Sequence, residues 1–332
     1  MRSKKRNNNG LKIFVSILAI LVIGILGYIY SIYANVKDSM DTAYTPVEVE
    51  TFRTSNTGTV ADSSEDEESR TNAGAMTPSE LLEAGEPVSI LLLGVDTGDL
   101  GRTEQGRSDS MVVVTINPHT QKTTLLSIPR DTYTEIVGNG TTDKINHAYA
   151  FGGTSMAINS VQNLLDIPVD FYVMVNMAGI KEIVDAVGGI TVESPLAFTQ
   201  NEYDFVQGTN QLDGEAALAS ARMRYEDPAG DTGRQGRQRL VIEAVIRKLA
   251  TPETLLNYQT ILQSLSSNVQ TSFQLSDFYT LQSQDYIRAV DNMNQQQLGG
   301  TGGMMNEIYY NFVDETEMTR VQDLLQAELE LE

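Results

Sequence analysis

Apolar positions along this chain fall into three kinds of run. One is long and unbroken: residues 13–33 contain no charged side chain, a length that matches the about 20 residues needed to cross a bilayer core. Others are short and unbroken. Residues 88–94, 111–116 and 123–128 read as strands buried on both faces, where the usual in–out alternation disappears. Residues 117–122 between the last two carry Asn117, Pro118 and Gln121, which predicts a hairpin loop. The third kind is helical in spacing. It predicts helices over 153–165, 177–187, 213–221, 238–249, 252–266 and 314–331, with Asp213 as an N-cap and Gly188-Gly189 as a stop. Strands at 171–175 and 190–192 fall between them. Strands and helices alternating through short connections define an α/β layered domain.

The flanks of the first run set its orientation. Arg2, Lys4, Lys5, Arg6 and Lys12 precede it without an acid, so residues 1–12 are expected in the cytoplasm and everything after residue 33 outside the cell membrane. The run exceeds the about 7–15 residues of a cleavable signal, and Ile32-Tyr33-Ala34 makes a poor cleavage site. A retained, single-pass signal-anchor is therefore expected, with Tyr28, Tyr30 and Tyr33 at its outer interface. Residues 34–86 are polar, densest in charge over 62–68, and read as a flexible acidic linker that buries too little apolar surface to fold alone. The extracellular domain is expected over 87–332.

The chain has no cysteine and two histidines, His119 and His147. Thiol nucleophiles, thiolate metal sites and His-rich zinc sites are thus excluded, and the core alone must hold the domain together. His119 falls in the hairpin loop and reads as solvated.

Charge changes the picture most. In 332 residues with a formal net charge of −21, five arginines lie between Arg222 and Arg239. Like charges repel, and guanidinium suits phosphate because its planar fork donates two parallel hydrogen bonds and keeps its charge. Ion pairing with the many acids is the competing explanation. Upstream, Arg107 and Arg130 each stand near an Asp. If the hairpin pairs around 118–121, Asp109 and Ser110 lie opposite Pro129 and Arg130. Two Asp and two Arg then converge at one end of the sheet, the edge where sites in such folds are built. Asp96 and Asp109 are hard oxygen donors that suit Mg²⁺ with phosphate oxygens completing its shell. They serve equally as loop caps or arginine partners. Metal, fixed positive charge and positioning are the requirements of phosphoryl transfer. A nucleic-acid partner has no signature in this acidic chain.

Gly94-Val95-Asp96, Gly106-Arg107-Ser108-Asp109, Ile128-Pro129-Arg130-Asp131, Lys144-Ile145-Asn146-His147-Ala148-Tyr149, and Arg222-Met223-Arg224-Tyr225 continuing through Gly230-Asp231-Thr232-Gly233-Arg234-Gln235-Gly236-Arg237-Gln238, in this order and spacing, resemble the LytR-CpsA-Psr family. The resemblance is strong over about residues 87–250. It implies a three-layer α/β/α sandwich around a central mixed sheet. It also implies a membrane-anchored transferase of Gram-positive cell wall biogenesis. Such an enzyme moves an anionic glycopolymer (a teichoic acid or capsular polysaccharide) from an undecaprenyl-pyrophosphate carrier to N-acetylmuramic acid of peptidoglycan. Carried over, Asp96 and Asp109 correspond to Mg²⁺-associated acids. Arg107, Arg130, Arg222, Arg224 and Arg234, with Arg237, Gln238 and Lys144 beside them, correspond to a pyrophosphate clamp. Asp131 or Asp109 is the candidate base, and His147 an alternative that more often is structural. Lys144 pairs either with phosphate or with an acid of its own loop. In the family a polyprenyl chain lies between sheet and helices; the stripes 158/161/164/165 and 180/183/184/187 are core or slot. A lipid-pyrophosphate hydrolase and a non-enzymatic regulator or lipid-carrier binding module remain as other readings.

Overall fold

The structure, a computed structural model, describes residues 43–47, 76–96, 105–251, 268–283 and 285–331. In chain order, helix α1 (Pro78–Ala84) leads into strands β1 (Val88–Val95), β2 (Ser108–Asn117), β3 (Lys122–Ile128), β4 (Tyr133–Ile136) and β5 (Thr141–Lys144). Helix α2 (Asn146–Leu165), strand β6 (Phe171–Asn176), helix α3 (Met177–Ala186) and strands β7 (Ile190–Ser194), β8 (Phe198–Gln200), β9 (Tyr203–Phe205) and β10 (Gly208–Leu212) follow. Then come α4 (Gly214–Arg222), α5 (Gly230–Leu249), β11 (Val269–Thr271), α6 (Leu275–Ser283), α7 (Tyr286–Ala289), β12 (Met293–Gln297), β13 (Thr301–Met305), β14 (Ile308–Phe312) and α8 (Glu315–Glu328). The expected anchor at 13–33 and the expected helix at 252–266 lie outside the described residues. Among those described, no helix is long and apolar enough to cross a membrane.

A six-stranded mixed sheet, ordered β11-β6-β1-β2-β3-β12, forms the centre. β1, β2 and β3 are antiparallel neighbours, whereas β6 runs parallel to β1 and β12 parallel to β3. Each face is covered, which is why the sequence shows unbroken apolar runs. Leu91, Leu93, Val95, Met111, Val113, Leu126 and Ile128 share one core with Val161 and Leu165 of α2 and Val321 and Leu325 of α8. The intervening residues Val88, Ile90, Val112, Val114 and Leu125 point the other way, to Leu81 and Leu82 of α1, Phe273 and Tyr286, with Ile242 and Ile246 of α5 against them. A third core joins α3, α4, α5 and β7 through Val184, Ile190, Ala217, Met223 and Val241.

Local chemistry explains the element ends. Thr77 accepts from the Glu80 N–H and Glu80 returns a bond to the Thr77 N–H, a capping box with Pro78 in the first turn; Gly85 closes the helix in the left-handed region. Asp213 caps α4 through the Ala216 N–H at 2.8 Å, as the sequence predicts. The stripe 158/161/164/165 is core, 0–7% exposed. Its helix begins earlier than expected, at Asn146, and is broken inside by Gly152 and by Gly153 at φ 67°, ψ −155°, a conformation essentially confined to glycine. The hairpin turn is where the sequence places it, Asn117 pairing with Lys122. His119, expected to be solvated, is half-exposed but sits 3.1 Å from Glu330. Lys122 also pairs with Glu328, and Asn117 donates to the Glu328 carbonyl, so the last helix is clasped to this turn.

The expected linker over 34–86 is too long. α1 buries Leu81 and Leu82, and residues 43–47 also belong to the fold: Thr45 N–H donates to the Thr271 carbonyl at 2.9 Å, and the Tyr172 hydroxyl donates to the Thr45 carbonyl. Both segments are too short for composition to betray them.

Leu93 is 1% exposed at the centre of its face. Leu93→Ala should lower unfolding free energy by about 2–5 kcal/mol, read as a drop in denaturant midpoint without a change in slope.

Candidate functional site

The site forms where β1 and β3 end and β2 begins. The β1–β2 register slips between Gly94 and Val95: Gly94 faces Ser110 but Val95 faces Ser108. Asp109 is thus the extra residue of a bulge, a device that re-aims one side chain. On the other flank, Met111 pairs with Ile128, which carries Asp109 alongside Arg130. The Arg130 Nη1 donates to Asp109 Oδ1 at 2.8 Å. Its Nε lies 3.8 Å from Asp131 Oδ2, and Lys144 Nζ donates to Asp131 Oδ1 at 2.7 Å. Asp109, Arg130, Asp131 and Lys144 are therefore one continuous run of alternating charge, each side chain 18–27% exposed. Burial works against the Arg130 charge, but Asp109, then Asp231 and Asp131, outweigh it and raise its pKa.

Asp96 is tied to the same edge. Its Oδ1 accepts from the Arg107 N–H at 2.6 Å, and its own N–H donates to the Arg107 carbonyl. Arg107 is exposed. Residues 97–104, which join β1 to this strand end, lie outside the described residues.

The downstream arginines separate into four placements. Asp231, in the first turn of α5, gathers Arg234, whose Nε and Nη2 lie 3.0 and 2.8 Å from its Oδ1, together with Gln235 at 3.0 Å and Arg224 at 3.8 Å. Burial raises the Asp231 pKa, yet Arg234, Gln235 and also Arg130 pull it below the ordinary carboxylate range. Asp231 is the electrostatic link between the α5 arginines and the sheet edge. Arg222 ends α4 exposed, within electrostatic range of Lys181 on α3. Gln238 is half-buried one turn beyond Arg234.

Arg237 is a correction. It is 2% exposed, pairs with Asp227, and donates to the carbonyls of Met223 and of Ser220, with Phe198 under its guanidinium. It bolts α4 to α5 inside the protein and faces no ligand. The i,i+3 spacing from Arg234 puts the two on neighbouring positions of the helix, and both are buried, but they pair with different acids, Asp231 and Asp227. Sequence reasoning also gave no part to three residues. Asp231 was legible from its spacing to Arg234 and Gln235. Asp143 accepts at Oδ2 from His147 Nδ1 at 2.7 Å and at Oδ1 from the Tyr310 hydroxyl at 3.2 Å. Its partnership with His147 follows an i,i+4 spacing. Arg239 is desolvated enough to lower its pKa, its Nη1 is buried without a hydrogen bond, and its Nε reaches only Gln295 at 3.4 Å.

Among the described residues no three His, Asp or Glu side chains are grouped to hold a metal by themselves. The donor set at this edge, two carboxylates from adjoining strand ends, suits a Mg²⁺ whose remaining ligands come from water and phosphate.

A mixed α/β sheet that presents paired acids and arginines at its loop-bearing edge defines a protein built to handle phosphate. The chain belongs to the LytR_cpsA_psr family, whose model matches residues 49–327. A relative from Enterococcus faecalis, 45% identical over 97% of this chain and 99% of its own length, is named polyisoprenyl-teichoic acid–peptidoglycan teichoic acid transferase TagU. The crystal structure of Bacillus subtilis TagU is similar at 42% identity and TM-score 0.61, covering 74% of this chain and 98% of that one. A structure of TagT bound to LIIa-WTA aligns at 29% identity and TM-score 0.64, over 78% and 95% of the two chains.

Arg237→Met should cost about 3–5 kcal/mol at neutral pH, because it strands a buried Asp227. The Arg237 bond, working against burial, holds the Asp227 pKa below its ordinary value. The stabilisation is thus present above the unfolded pKa of about 3.9 and lost as pH falls through the folded one. Denaturant melts of wild type and variant should converge on acidification below about pH 4.

Proposed function

We propose that this protein is a phosphotransferase that moves a teichoic-acid-type glycopolymer from a polyprenyl-pyrophosphate carrier to peptidoglycan. The observation that carries the reading is the alternating-charge run Asp109–Arg130–Asp131–Lys144 facing Asp231 with its arginines. Acids hold these cations in fixed positions before any substrate arrives. Preorganised positive charge stabilises the charge on a leaving phosphate without reorganisation at the moment of reaction. The names of the relatives agree with this chemistry.

In the reaction, the acceptor hydroxyl attacks the phosphorus that bears the glycan, and polyprenyl monophosphate leaves. Arg130, Arg224 and Arg234 would hold the pyrophosphate oxygens, with Arg107, Arg222 and Gln238 completing the rim. Lys144 would release Asp131 in part to meet phosphate. Asp96 and Asp109 would hold Mg²⁺, which when bound supplies further neutralisation of the pyrophosphate. Between the sheet and α5, the partly buried Leu92, Val173, Ile242 and Ile246 support an apolar path for the polyprenyl chain. Anchoring through residues 13–33, with this domain outside, would bring the site to its lipid substrate.

The test uses the full chain in detergent with polyprenyl-pyrophosphate-linked teichoic acid, peptidoglycan fragments and Mg²⁺. Mass spectrometry should find a phosphodiester-linked product and polyprenyl monophosphate together. Monophosphate released at the same rate without acceptor would make the protein a hydrolase instead. Arg130→Lys keeps the charge but loses the fork, and should lower transfer about 10²–10³-fold with the fold unchanged by circular dichroism. Asp96→Ala and Asp109→Ala should each abolish the Mg²⁺ dependence of transfer; a double variant as active as wild type in chelator sinks the metal assignment.

A further inference from the structure

We propose that His147 is the general base that takes the proton from the acceptor hydroxyl, with Asp143 as its positioning residue. The proposal rests on the transferase reading and adds to it the group that activates the nucleophile. A sugar hydroxyl is a weak nucleophile until a base within hydrogen-bonding reach removes its proton. The two carboxylates nearest the phosphate-binding arginines are poorly placed for that task. Asp109 is engaged by the Arg130 guanidinium at 2.8 Å, and Asp131 by Lys144 at 2.7 Å with Arg130 at 3.8 Å. Both carboxylates are thus already occupied by cations and not turned to an incoming hydroxyl.

His147 is arranged differently. Its Nδ1 lies 2.7 Å from Asp143 Oδ2. A carboxylate offers only acceptors, so the ring must donate from Nδ1. In the neutral ring that leaves the Nε2 lone pair as the acceptor, and the partnership both fixes the tautomer and stabilises the imidazolium that forms when Nε2 takes a proton. Asp143 is itself held from two further sides. The Lys144 N–H donates to its Oδ1 at 2.8 Å and the Tyr310 hydroxyl of β14 donates to the same oxygen at 3.2 Å. Burial alone would raise the Asp143 pKa; its bonds to His147, Lys144 and Tyr310 reverse this and keep it ionised. Nucleophile-activating pairs need such a third group to orient the base.

The pair stands at the site. The Asn146 N–H donates to the Arg130 carbonyl at 3.2 Å, and the Ile145 N–H donates to the Thr132 carbonyl at 2.8 Å. The first turn of α2 is therefore docked on the same loop that carries Arg130 and Asp131. From its other side the Gln105 amide, two residues before Arg107, donates to the Tyr149 carbonyl. His147 lies between these attachments, its side chain 23% exposed and packed against the half-exposed Phe151, ring centroids 5.6 Å apart. The titratable groups facing the ring are Asp143 of β5 and, behind that carboxylate, Tyr310 of β14; Lys144 turns from it to Asp131.

The step balances without an added reagent. The acceptor O–H bond breaks and its proton passes to His147 Nε2. The freed oxygen forms the new O–P bond to the glycan-bearing phosphorus. The bond from that phosphorus to the bridging oxygen breaks, and polyprenyl monophosphate leaves with the electron pair. The imidazolium proton then returns to the departing phosphate or to water.

The test compares wild type with His147→Gln, His147→Ala and Asp143→Asn, all as full chains in detergent, on the same donor and acceptor. Donor binding is measured separately, by mass spectrometry of retained polyprenyl-pyrophosphate glycan. Loss of a general base should lower kcat about 10²–10⁴-fold while donor retention stays at wild-type level. An imidazolium cannot accept a second proton, so wild-type kcat/KM should fall on the acid side, and His147→Gln should lose that limb. Added imidazole should restore part of the activity to His147→Ala and none to Asp143→Asn. A structural role predicts none of these last two signatures. His147→Gln within about threefold of wild type, well short of a base's contribution, overturns the proposal. So does a loss of transfer matched by loss of donor retention with the acid limb intact. A wild type that forms no phosphodiester overturns the transferase reading and this proposal with it; a wild type that transfers beside a His147→Gln that transfers at a comparable rate overturns the proposal alone.

Discussion

Arg130 is the interaction on which the edge of this domain turns. It is the second residue past β3, and it reaches across to a bulged residue of β2 and back to its own neighbour. One guanidinium thereby fixes the relative position of two strand ends and of the loop beyond them. The loop in turn receives the first turn of α2 through backbone bonds to the Arg130 and Thr132 carbonyls. A lysine in its place supplies charge but one point of attachment, so geometry as well as charge depends on the fork. The acids matter as much. An excess of negative charge over the whole chain does not weaken an anion site when individual acids serve to aim individual arginines.

Helix α5 shows how close structural and ligand-facing roles can lie. Arg234 and Arg237 are one turn apart and each has its own acid, Asp231 in the first turn of α5 and Asp227 in the loop before it. Asp227 sits against Gly233, where a Cβ would overlap its carboxylate, and the pair is sealed between α4 and α5. Asp231 stays at the rim, where it senses Arg130. The glycine lets the two helices and the acid approach closely enough for Arg237 to be fully used inside. Its cationic charge is spent on the fold, which explains why the density of arginine in the sequence overstates the density of positive charge at the site.

The sheet was legible because its strands are buried on both faces and its central hairpin has an unambiguous turn; the predicted register of Asp109 beside Arg130 follows from that turn alone. The sequence pattern places the start of α5 at Gln238 because Gly230, Gly233 and Gly236 weaken the helical signal, yet the helix begins at Gly230 and its first two turns carry Asp231 and Arg234. The short strands β4, β5, β13 and β14 left no periodicity to detect, and with them went Tyr310 and its bond to Asp143. Residues 43–47 and α1 were hidden in polar surroundings for the same reason. What composition cannot reveal is burial: nothing in the spelling of Arg234 and Arg237 shows that both lie buried, each held by its own acid.

The break at Gly152 and Gly153 divides α2 into a short front piece, with His147, and a long rear piece whose Val161 and Leu165 are wholly buried. A continuous helix is a rigid lever: any shift at its start is transmitted along its axis. Here the lever is cut. The front turn is free to take its bearings from the Arg130 loop, while the rear takes its bearings from the sheet. The working edge of the domain and its load-carrying interior are thus separable parts, joined by two glycines, and substitutions that retune one need not disturb the packing of the other.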